Sequence, residues 1–391
     1  MAEKIGIEVS RAVAIAVKLA NTDVVSAYPI TPQTHIVEDL AEMVSNGDLE
    51  ASFIPVESEH SAMSACLGSS AVGARTFTAT ASQGLELMHE VLYVASGMRF
   101  PIVMAVANRA LSAPISIWGD HSDVMSARDT GWIQIFVTNG QEAFDNTICA
   151  FRIAEDPKVL LPVMVNMDGF HLTHVIEPIS IPDAEPVQRY LPPFKYPLPL
   201  DPDNPVSMGA FGPPYIYPEI KRAQQEVITK SKDVILKAWK EFGDIFGRYY
   251  TPLDCYKCEN AKVLLLAMGS FAETAMDAVD TIRSEGGEVG LINLRLWRPF
   301  PFDEIREAVK DAETVIVLDR ALSFGGQGGP VCSEIRSALY DLDKKPKVVG
   351  FVGGLGGRDI SPEGFKEMIE KGIEVAQKGS DEEFEIFGVR E

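Results

Sequence analysis

The chain has 391 residues, of which 46% are apolar, an ordinary globular composition with room for about two or three domains. Its formal net charge of −21 argues against nucleic acid and anionic membranes as partners, because neither releases counterions to a surface of its own sign. The acidic, amphipathic start and the lack of any apolar stretch near the roughly 20 residues of a membrane helix predict a cytoplasmic protein without a secretory signal.

Five short apolar segments in the N-terminal part of the chain predict parallel strands separated by helices. Each segment runs into a polar or turn-forming cluster. Because ligands bind outside the carboxyl ends of the strands in open parallel sheets, these clusters are expected to surround one crevice. The segments are Val24–Ala27, Phe53–Val56, Arg75–Ala79, Ile102–Ala107 and Val163–Asn166.

The fold class predicted is α/β, with two parallel-sheet domains at residues 1–183 and 261–391. Residues 184–260 are predicted to form a proline-rich connector and a long helix. Proline blocks continuous helix and central strand, so Pro182–Pro218 is expected to be extended, with its aromatic side chains lying against a surface. Apolar residues at helical spacing from Ile220 to Phe242 predict the long helix.

The second domain is predicted from four strand-like segments with helices between them. Two glycine-rich segments, 325–329 and 353–357, follow strands and could hold a phosphate through backbone amides. Neither has the spacing of a dinucleotide fingerprint or of a P-loop, so tight strand-to-helix turns are the preferred interpretation. The four strand segments are Val263–Leu266, Glu288–Leu294, Val315–Leu318 and Lys347–Val352.

The five cysteines are scattered and do not form a disulfide framework. Cys255 and Cys258 have the spacing of half a metal site, but the chain has no second cysteine pair and no histidine close by in sequence. We interpret them as incidental thiols in the connector, and expect no iron-sulfur cluster in this chain.

Glu59 is the first candidate for chemistry, since it follows a buried type of strand and begins a helix of aliphatic and small residues. A carboxyl group there can lose its solvent and gain proton affinity. The alternative is a carboxylate that only stabilises the helix start, and this interpretation fits Glu57 and Glu59 equally.

Arg109 and Thr31 are candidates for binding an acidic substrate. Arg109 ends an apolar strand, where its guanidinium could clamp a carboxylate. A structural ion pair with Asp120 or Asp123 would explain it equally well. Thr31 lies between two prolines that restrict its backbone and present its hydroxyl from a rigid turn, and a plain helix-entry turn is the alternative.

Seven short segments spread over nearly the whole chain carry a resemblance to a known family. Their order and spacing resemble the α subunit of pyruvate:ferredoxin oxidoreductase. The segments are Tyr28–Pro32, Val56–Ala62, Thr78–Leu85, Asn108–Ser112, Gly119–Asp123, Asp168–Phe170 and Leu296–Pro301.

The resemblance implies a thiamine diphosphate enzyme that oxidatively decarboxylates a 2-oxoacid, joins the acyl group to coenzyme A and passes electrons to ferredoxin. It implies a first domain like the pyrimidine-binding domain of transketolase-like enzymes and a last domain like their C-terminal domain. Glu59 would bond the aminopyrimidine ring and favour the imino tautomer that takes the thiazolium proton. Arg109 and Thr31 would hold the substrate. Pro29, Ile30, Thr80, Ser82 and Gln83 would complete the cofactor site.

The resemblance also implies partner subunits. The family binds the cofactor diphosphate through Mg²⁺ and a Gly-Asp-Gly segment that this chain lacks. We therefore expect Mg²⁺ on a diphosphate-binding partner, 4Fe-4S clusters on a ferredoxin-like partner, a gamma-type subunit, and no metal ligand here. His121, in a loop beside the site, is expected to be solvated and is not counted as catalytic.

Two other functions remain open at this point. A branched-chain or aryl 2-oxoacid:ferredoxin oxidoreductase shares the Thr-Pro and Glu-Ser-Glu-His elements, although Ile117–His121 resembles the pyruvate enzymes more closely. A non-catalytic scaffold subunit is the other alternative. The presence of Glu59 and Arg109 argues against it.

Overall fold

The strands of the computed structural model, which describes residues 3–380 and 382–390, form three sheets. The strands are β1 (Glu3–Glu8), β2 (Val24–Ala27), β3 (Ser52–Pro55), β4 (Thr76–Thr80), β5 (Val103–Asn108), β6 (Ile133–Phe136), β7 (Val163–Asp168), β8 (Ile176–Ile181), β9 (Leu253–Tyr256), β10 (Val263–Ala267), β11 (Val289–Leu294), β12 (Leu296–Arg298), β13 (Thr314–Asp319), β14 (Lys347–Val352) and β15 (Glu385–Ile386).

Helices alternate with most of these strands, as the sequence predicts. The helices are α1 (Val9–Leu19), α2 (Thr34–Ser45), α3 (Glu59–Ala71), α4 (Ser82–Gly97), α5 (Ser122–Ser126), α6 (Gly140–Ala154), α7 (Ala184–Tyr190), α8 (Tyr217–Phe246), α9 (Phe271–Ser284), α10 (Phe302–Val309), α11 (Pro330–Leu339) and α12 (Pro362–Lys378). A short 3₁₀ turn spans Leu355–Gly357. Among the described helices, none is long and apolar enough to cross a membrane.

The largest sheet has the strand order β12-β6-β7-β5-β4-β2-β3. Strands β2 to β7 all run parallel, which confirms the parallel-sheet prediction. Strands β4 to β7 are buried along their whole length, as expected for a parallel sheet covered on both faces. The carboxyl ends of β2 to β7 therefore lie at one edge of the sheet.

A second sheet has the order β15-β14-β13-β10-β11-β9, and only β9 is antiparallel to its neighbour. Strand β12 follows β11 in sequence but pairs antiparallel with β6 of the largest sheet. Strand β12 thus forms an edge of the largest sheet and connects it to the second sheet. Strands β1 and β8 form the third, antiparallel sheet.

The proline-rich connector is less extended than predicted. It contains helix α7, in which Pro186 lies in the first turn, where a missing N–H leaves no helical bond unmade. Tyr190 and Tyr196 are buried, as predicted for aromatic residues lying against a surface, but Phe211 is 87% exposed. The expected long helix is α8, and Gly247 ends it in the left-handed conformation that glycine adopts at low cost.

Candidate active site

The residues predicted to carry chemistry lie where the parallel strands of the largest sheet end. Thr31 follows β2, Glu59 begins α3 after β3, Thr80 ends β4, and Arg109 follows β5. Neighbouring strands in the order β5-β4-β2-β3 bring these ends side by side. One direct contact joins two of them, since Arg109 Nη1 donates to the backbone oxygen of Thr31 at 2.9 Å.

Glu59 is a buried carboxylate without a protein partner. The residue is 6% exposed, and among the described residues no hydrogen bond or ion pair engages its carboxylate. Ser58 begins α3 by accepting a hydrogen bond from the backbone N–H of Ser61 at 3.2 Å, so Glu59 is not needed as the cap. A buried carboxylate normally has its own donors, so this one is free to bind a ligand.

Gly84 allows the side chains of Glu59 and Thr80 to pack closely against the start of α4. A Cβ atom at Gly84 would lie 2.7 Å from Glu59 Oε1 and 2.5 Å from Thr80 Oγ1, closer than real contacts allow. The Thr80 hydroxyl is buried and also has no hydrogen-bond partner. Only glycine therefore fits at this position, because Glu59 Oε1 and Thr80 Oγ1 both lie too close to where a Cβ atom would be.

The structure distinguishes Glu57 from Glu59, which the sequence alone does not. Glu57 is exposed and accepts a hydrogen bond from Ser61 Oγ at 2.6 Å, which lowers the pKa of Glu57. Glu59 lies in the first turn of α3, so its carboxylate is also placed to stabilise the helix start. Burial distinguishes Glu59 from Glu57.

Arg109 is buried and does not form the predicted ion pair. Its Nε donates to the backbone oxygen of Ser116 at 2.8 Å, and its Nη1 to that of Thr31. The only group of Arg109 that donates to Asp123 is its backbone N–H, at 3.0 Å. The Asp120 carboxylate accepts hydrogen bonds from Ser122 and from the backbone N–H of Gly356 instead. The proposed pairing of the guanidinium with Asp120 or Asp123 is thus wrong. Burial lowers the pKa of Arg109, with the charge of Asp123 acting against it.

Ser82 and Gln83 form the turn from β4 into α4. Ser82 has a φ of +47°, and its hydroxyl oxygen lies 2.7 Å from both the Ala110 oxygen and Gln83 Oε1, so that it can donate to either of them. Its side chain therefore holds the turn. Gln83 is half-buried beside it.

The loop that precedes α2 carries three of the predicted residues. Pro29 and Thr31 are exposed and Ile30 is half-buried. Gln33, which the sequence reasoning missed, is fully buried and donates to the backbone oxygens of Tyr28 at 3.1 Å and Ala79 at 2.8 Å. It ties this loop to β4, and a polar residue directly after Thr31-Pro32 is the only sequence signal for it.

Asp123 is a second residue that sequence reasoning did not assign to the site. Its fully buried carboxylate accepts the backbone N–H of Ser82 at 2.9 Å, that of Arg109, and Asn108 Nδ2 at 3.1 Å. Burial raises the pKa of Asp123 to about 7 against the effect of these donors. The carboxylate therefore holds the backbones of Ser82, after β4, and Arg109, after β5, in a fixed position relative to each other.

Asp168, at the end of β7, joins the two larger sheets instead of lining the crevice. It accepts hydrogen bonds from Ser270 N at 2.7 Å and Ser270 Oγ at 2.6 Å, and it pairs with Arg320 and with His121 Nε2. Burial raises the pKa of Asp168, but Arg320 and His121 more than offset this and lower it. His121 is 2% exposed, so the expectation of a solvated loop histidine is wrong.

The two glycine-rich segments form turns, as the preferred interpretation predicts. The N-terminus of α11 after segment 325–329 already has an acceptor, because Asp319 takes the backbone N–H groups of Val331 at 2.7 Å and Cys332 at 2.9 Å. In segment 353–357 a backbone N–H donates to Asp120 instead. These carboxylates occupy backbone N–H groups that a phosphate would otherwise use.

The prediction that Cys255 and Cys258 lie in the connector is wrong. They lie at the edge of the second sheet. Cys255 belongs to β9, and Cys258 follows in the next turn. A hydrogen bond between the thiols lowers the pKa of Cys255 to about 7. In the described part of the chain neither thiol belongs to a group of three potential metal ligands.

Together, the two mostly parallel α/β sheets and the buried carboxylate at the strand ends are those of the predicted α/β fold class. A family model described as pyruvate flavodoxin/ferredoxin oxidoreductase, thiamine diphosphate-binding, matches residues 15–240. A second, pyruvate:ferredoxin oxidoreductase core domain II, matches residues 261–365. The chain belongs to the pyruvate:ferredoxin oxidoreductase family and is a subunit of a 2-oxoacid:ferredoxin oxidoreductase, as the resemblance predicted.

Several relatives cover nearly the whole chain. Pyruvate synthase subunit PorA of Methanothermobacter thermautotrophicus is 49% identical, over 93% of this chain and 94% of the relative. PorA of Methanocaldococcus jannaschii is 50% identical, over 94% of both chains. Ketoisovalerate oxidoreductase subunit VorA of Pyrococcus horikoshii is 42% identical, over 97% of this chain and 96% of the relative.

Two solved structures share the fold. The 2-oxoglutarate:ferredoxin oxidoreductase of Magnetococcus marinus superposes with a TM-score of 0.71 at 22% identity, covering 95% of this chain and 65% of the other. A split-gene transketolase, described as an inactive beta4 tetramer, superposes with a TM-score of 0.55 at 12% identity, covering 95% of this chain and all of the other. The predicted α/β, transketolase-like fold class is confirmed.

Proposed function

We propose that this chain supplies the pyrimidine-binding half of a thiamine diphosphate site and the residues that hold the substrate carboxylate. The observation that carries the proposal is the buried Glu59 carboxylate, which has no hydrogen-bond or ion-pair partner among the described residues and lies at the carboxyl ends of the parallel strands. When bound, thiamine diphosphate supplies a carbon nucleophile for attack on the 2-oxo group. Glu59 would hold and move a proton at the aminopyrimidine ring nitrogen.

The residues around Glu59 fit an aminopyrimidine ring. The Thr80 hydroxyl, which is buried and has no hydrogen-bond partner among the described residues, lies beside the same glycine as Glu59 and would be a second polar group near the ring. Ser82 and Gln83 shape the turn below it, since the Ser82 hydroxyl is already donated to the scaffold. Pro29 and Ile30 would close the remaining side from the loop that Gln33 anchors.

Arg109 would bind the substrate carboxylate, assisted by Thr31. Its Nε and Nη1 are fixed by the backbone oxygens of Ser116 and Thr31, which sets the direction of the guanidinium. Among the described residues nothing accepts a hydrogen bond from Nη2, and no carboxylate forms an ion pair with the guanidinium. A buried and oriented guanidinium with a free N–H group is suited to binding a carboxylate.

The reaction we propose is oxidative decarboxylation of pyruvate, transfer of the acetyl group to coenzyme A and passage of two electrons to ferredoxin. Sequence similarity to pyruvate synthase subunits is higher than to the ketoisovalerate enzyme.

Partner subunits would complete the enzyme. We propose that one partner holds Mg²⁺ and the diphosphate, that a ferredoxin-like partner carries the 4Fe-4S clusters, and that a gamma-type subunit contributes to the coenzyme A site. The lack of a Gly-Asp-Gly segment in this chain supports this division. We further propose that the complex acts in the cytoplasm. For this chain we propose three structural units, which are residues 1–183, 184–260 and 261–391.

The full-length chain by itself is expected to bind thiamine diphosphate weakly and to lack decarboxylase activity, because the diphosphate charge has no metal anchor here. Equilibrium dialysis with labelled cofactor and Mg²⁺ measures this, and the co-expressed complex is the control. Stoichiometric, tight binding by the chain alone would contradict the division of the site between subunits.

The proposed substrate is tested by purifying the complex with its partners and measuring kcat/KM on pyruvate, 2-oxoisovalerate, an aryl pyruvate and 2-oxoglutarate. We expect pyruvate to be preferred by about 10-fold or more, the usual effect of a few methylenes in a restrictive pocket. Preference for 2-oxoisovalerate would overturn the substrate assignment but not the family. A complex that contains cofactor and iron yet oxidises none of the four acids would indicate a scaffold.

A further inference from the structure

A histidine–carboxylate cluster lies outside the site described above. Glu8 ends β1, His35 is in the first turn of α2, and His174 follows β7. His35 Nδ1 lies 2.6 Å from Glu8 Oε1, and the rings of His35 and His174 are 4.5 Å apart between centroids. One ligand atom from each of the three residues lies within 4.8 Å of the other two, and all three side chains are half-buried.

His174 is held in place by residues behind it. Its Nδ1 lies 2.8 Å from the hydroxyl oxygen of Thr173, a fully buried residue whose backbone oxygen accepts from Ser10 Oγ at 2.7 Å. If Nδ1–H donates to Thr173, the Nε2 lone pair is free. A second hydrogen bond of this kind is the usual support of a metal-ligating imidazole.

The surroundings of the cluster are electronegative. The carboxylates of Glu38 and Asp39 line the same cavity as Glu8 and His35, and among the described residues Arg11 is the only lysine or arginine that lines it. Arg11 reaches Asp39 only at 3.9 Å, with both groups partly in solvent. Three carboxylates and one guanidinium leave a negative cavity, which attracts cations.

We propose that Glu8, His35 and His174 bind a divalent transition metal of borderline softness, with Zn²⁺ as the reference ion. Two imidazoles and one carboxylate suit Zn²⁺, whereas Mg²⁺ and Ca²⁺ prefer all-oxygen sites. Three protein ligands leave a fourth position for water. The metal would connect β1, α2 and the segment after β7, and it would fix the first turn of α2 at His35, four residues beyond Thr31.

The test uses the full-length chain carrying Cys255→Ser, so that the Cys255 and Cys258 pair cannot bind the metal. Titration with Co²⁺, followed by its visible absorption, and with Zn²⁺, followed by calorimetry, is expected to show one equivalent bound. Zn²⁺ should also raise the Tm in a saturable manner, because it binds the folded state. Circular dichroism establishes that each variant is folded.

Glu8→Gln, His35→Gln and His174→Gln should each weaken binding by about 10-fold or more, since even losing an outer hydrogen bond to a ligand has an effect of that size. His89→Gln is the matched control, because His89 lies 3.9 Å from Glu86 without a second imidazole, and affinity should be unchanged. Two results would overturn the proposal. One is no saturable binding by the parent chain, and the other is unchanged affinity in the three ligand variants, which would leave Glu8 and His35 as a hydrogen-bonded pair only.

Discussion

Glu59→Gln in the assembled complex is expected to lower turnover by about 10²- to 10⁴-fold, the usual range for a lost general acid or base. Glutamine keeps the size of the side chain but cannot share a proton with the aminopyrimidine nitrogen. Glu57 would not replace it, because its carboxylate is in solvent and bound to Ser61. The measurement is the rate of proton exchange at the thiazolium carbon, together with pyruvate-dependent ferredoxin reduction.

Glu57→Gln is the control for this experiment. It removes a carboxylate two residues away and its hydrogen bond to Ser61, an exposed interaction that contributes little. Proton exchange should stay close to normal. Normal exchange in the Glu59→Gln complex, with its cofactor bound, would show that another group performs this step.

Arg109→Lys is expected to lower kcat/KM for pyruvate by about 10- to 200-fold, which corresponds to roughly 1.5 to 3 kcal/mol for a lost charge-assisted pair. Lysine cannot reproduce the planar fork, and it also loses the paired contacts to the Ser116 and Thr31 oxygens that orient the guanidinium. Thiamine diphosphate content should remain normal, because Arg109 is proposed to act on the substrate.

Thr31→Val separates the two contributions of Thr31. It keeps the backbone oxygen that Arg109 binds and removes only the hydroxyl, so the expected cost is about 0.5 to 1.5 kcal/mol. An Arg109→Lys complex that loses its cofactor, yet uses pyruvate normally once resupplied, would assign Arg109 to the cofactor site or to the fold.

The strands that were predicted most accurately from the sequence are those whose residues are almost all apolar. Strands β5, β7, β10 and β13 are buried on both faces and were predicted within two residues at each end. The three-residue β12 was not predicted, because its pairing with β6 depends on a contact between the two sheets. Helix α7 was also missed, since a proline in a first turn has the same composition as an extended segment.

The positions of the candidate residues followed from one rule, that parallel strands end at the same edge, and this sufficed for Thr31, Glu59 and Arg109. The hydrogen-bond partners around the site could not be predicted from this rule. Asp123 acts on backbone N–H groups 14 and 41 positions away, and His121 meets an aspartate 47 positions away. Such contacts depend on how loops fold over the sheet. No local pattern distinguishes a buried polar residue from a solvated one there.

The most direct test of the shared site is a structure of the assembled complex with thiamine diphosphate bound. We expect one Glu59 carboxylate oxygen within about 2.6–3.2 Å of a pyrimidine ring nitrogen, the reach of a proton-transfer partner. The diphosphate should bind to a partner subunit. A cofactor bound away from this chain, with Glu59 facing solvent or paired with a partner side chain, would contradict the account.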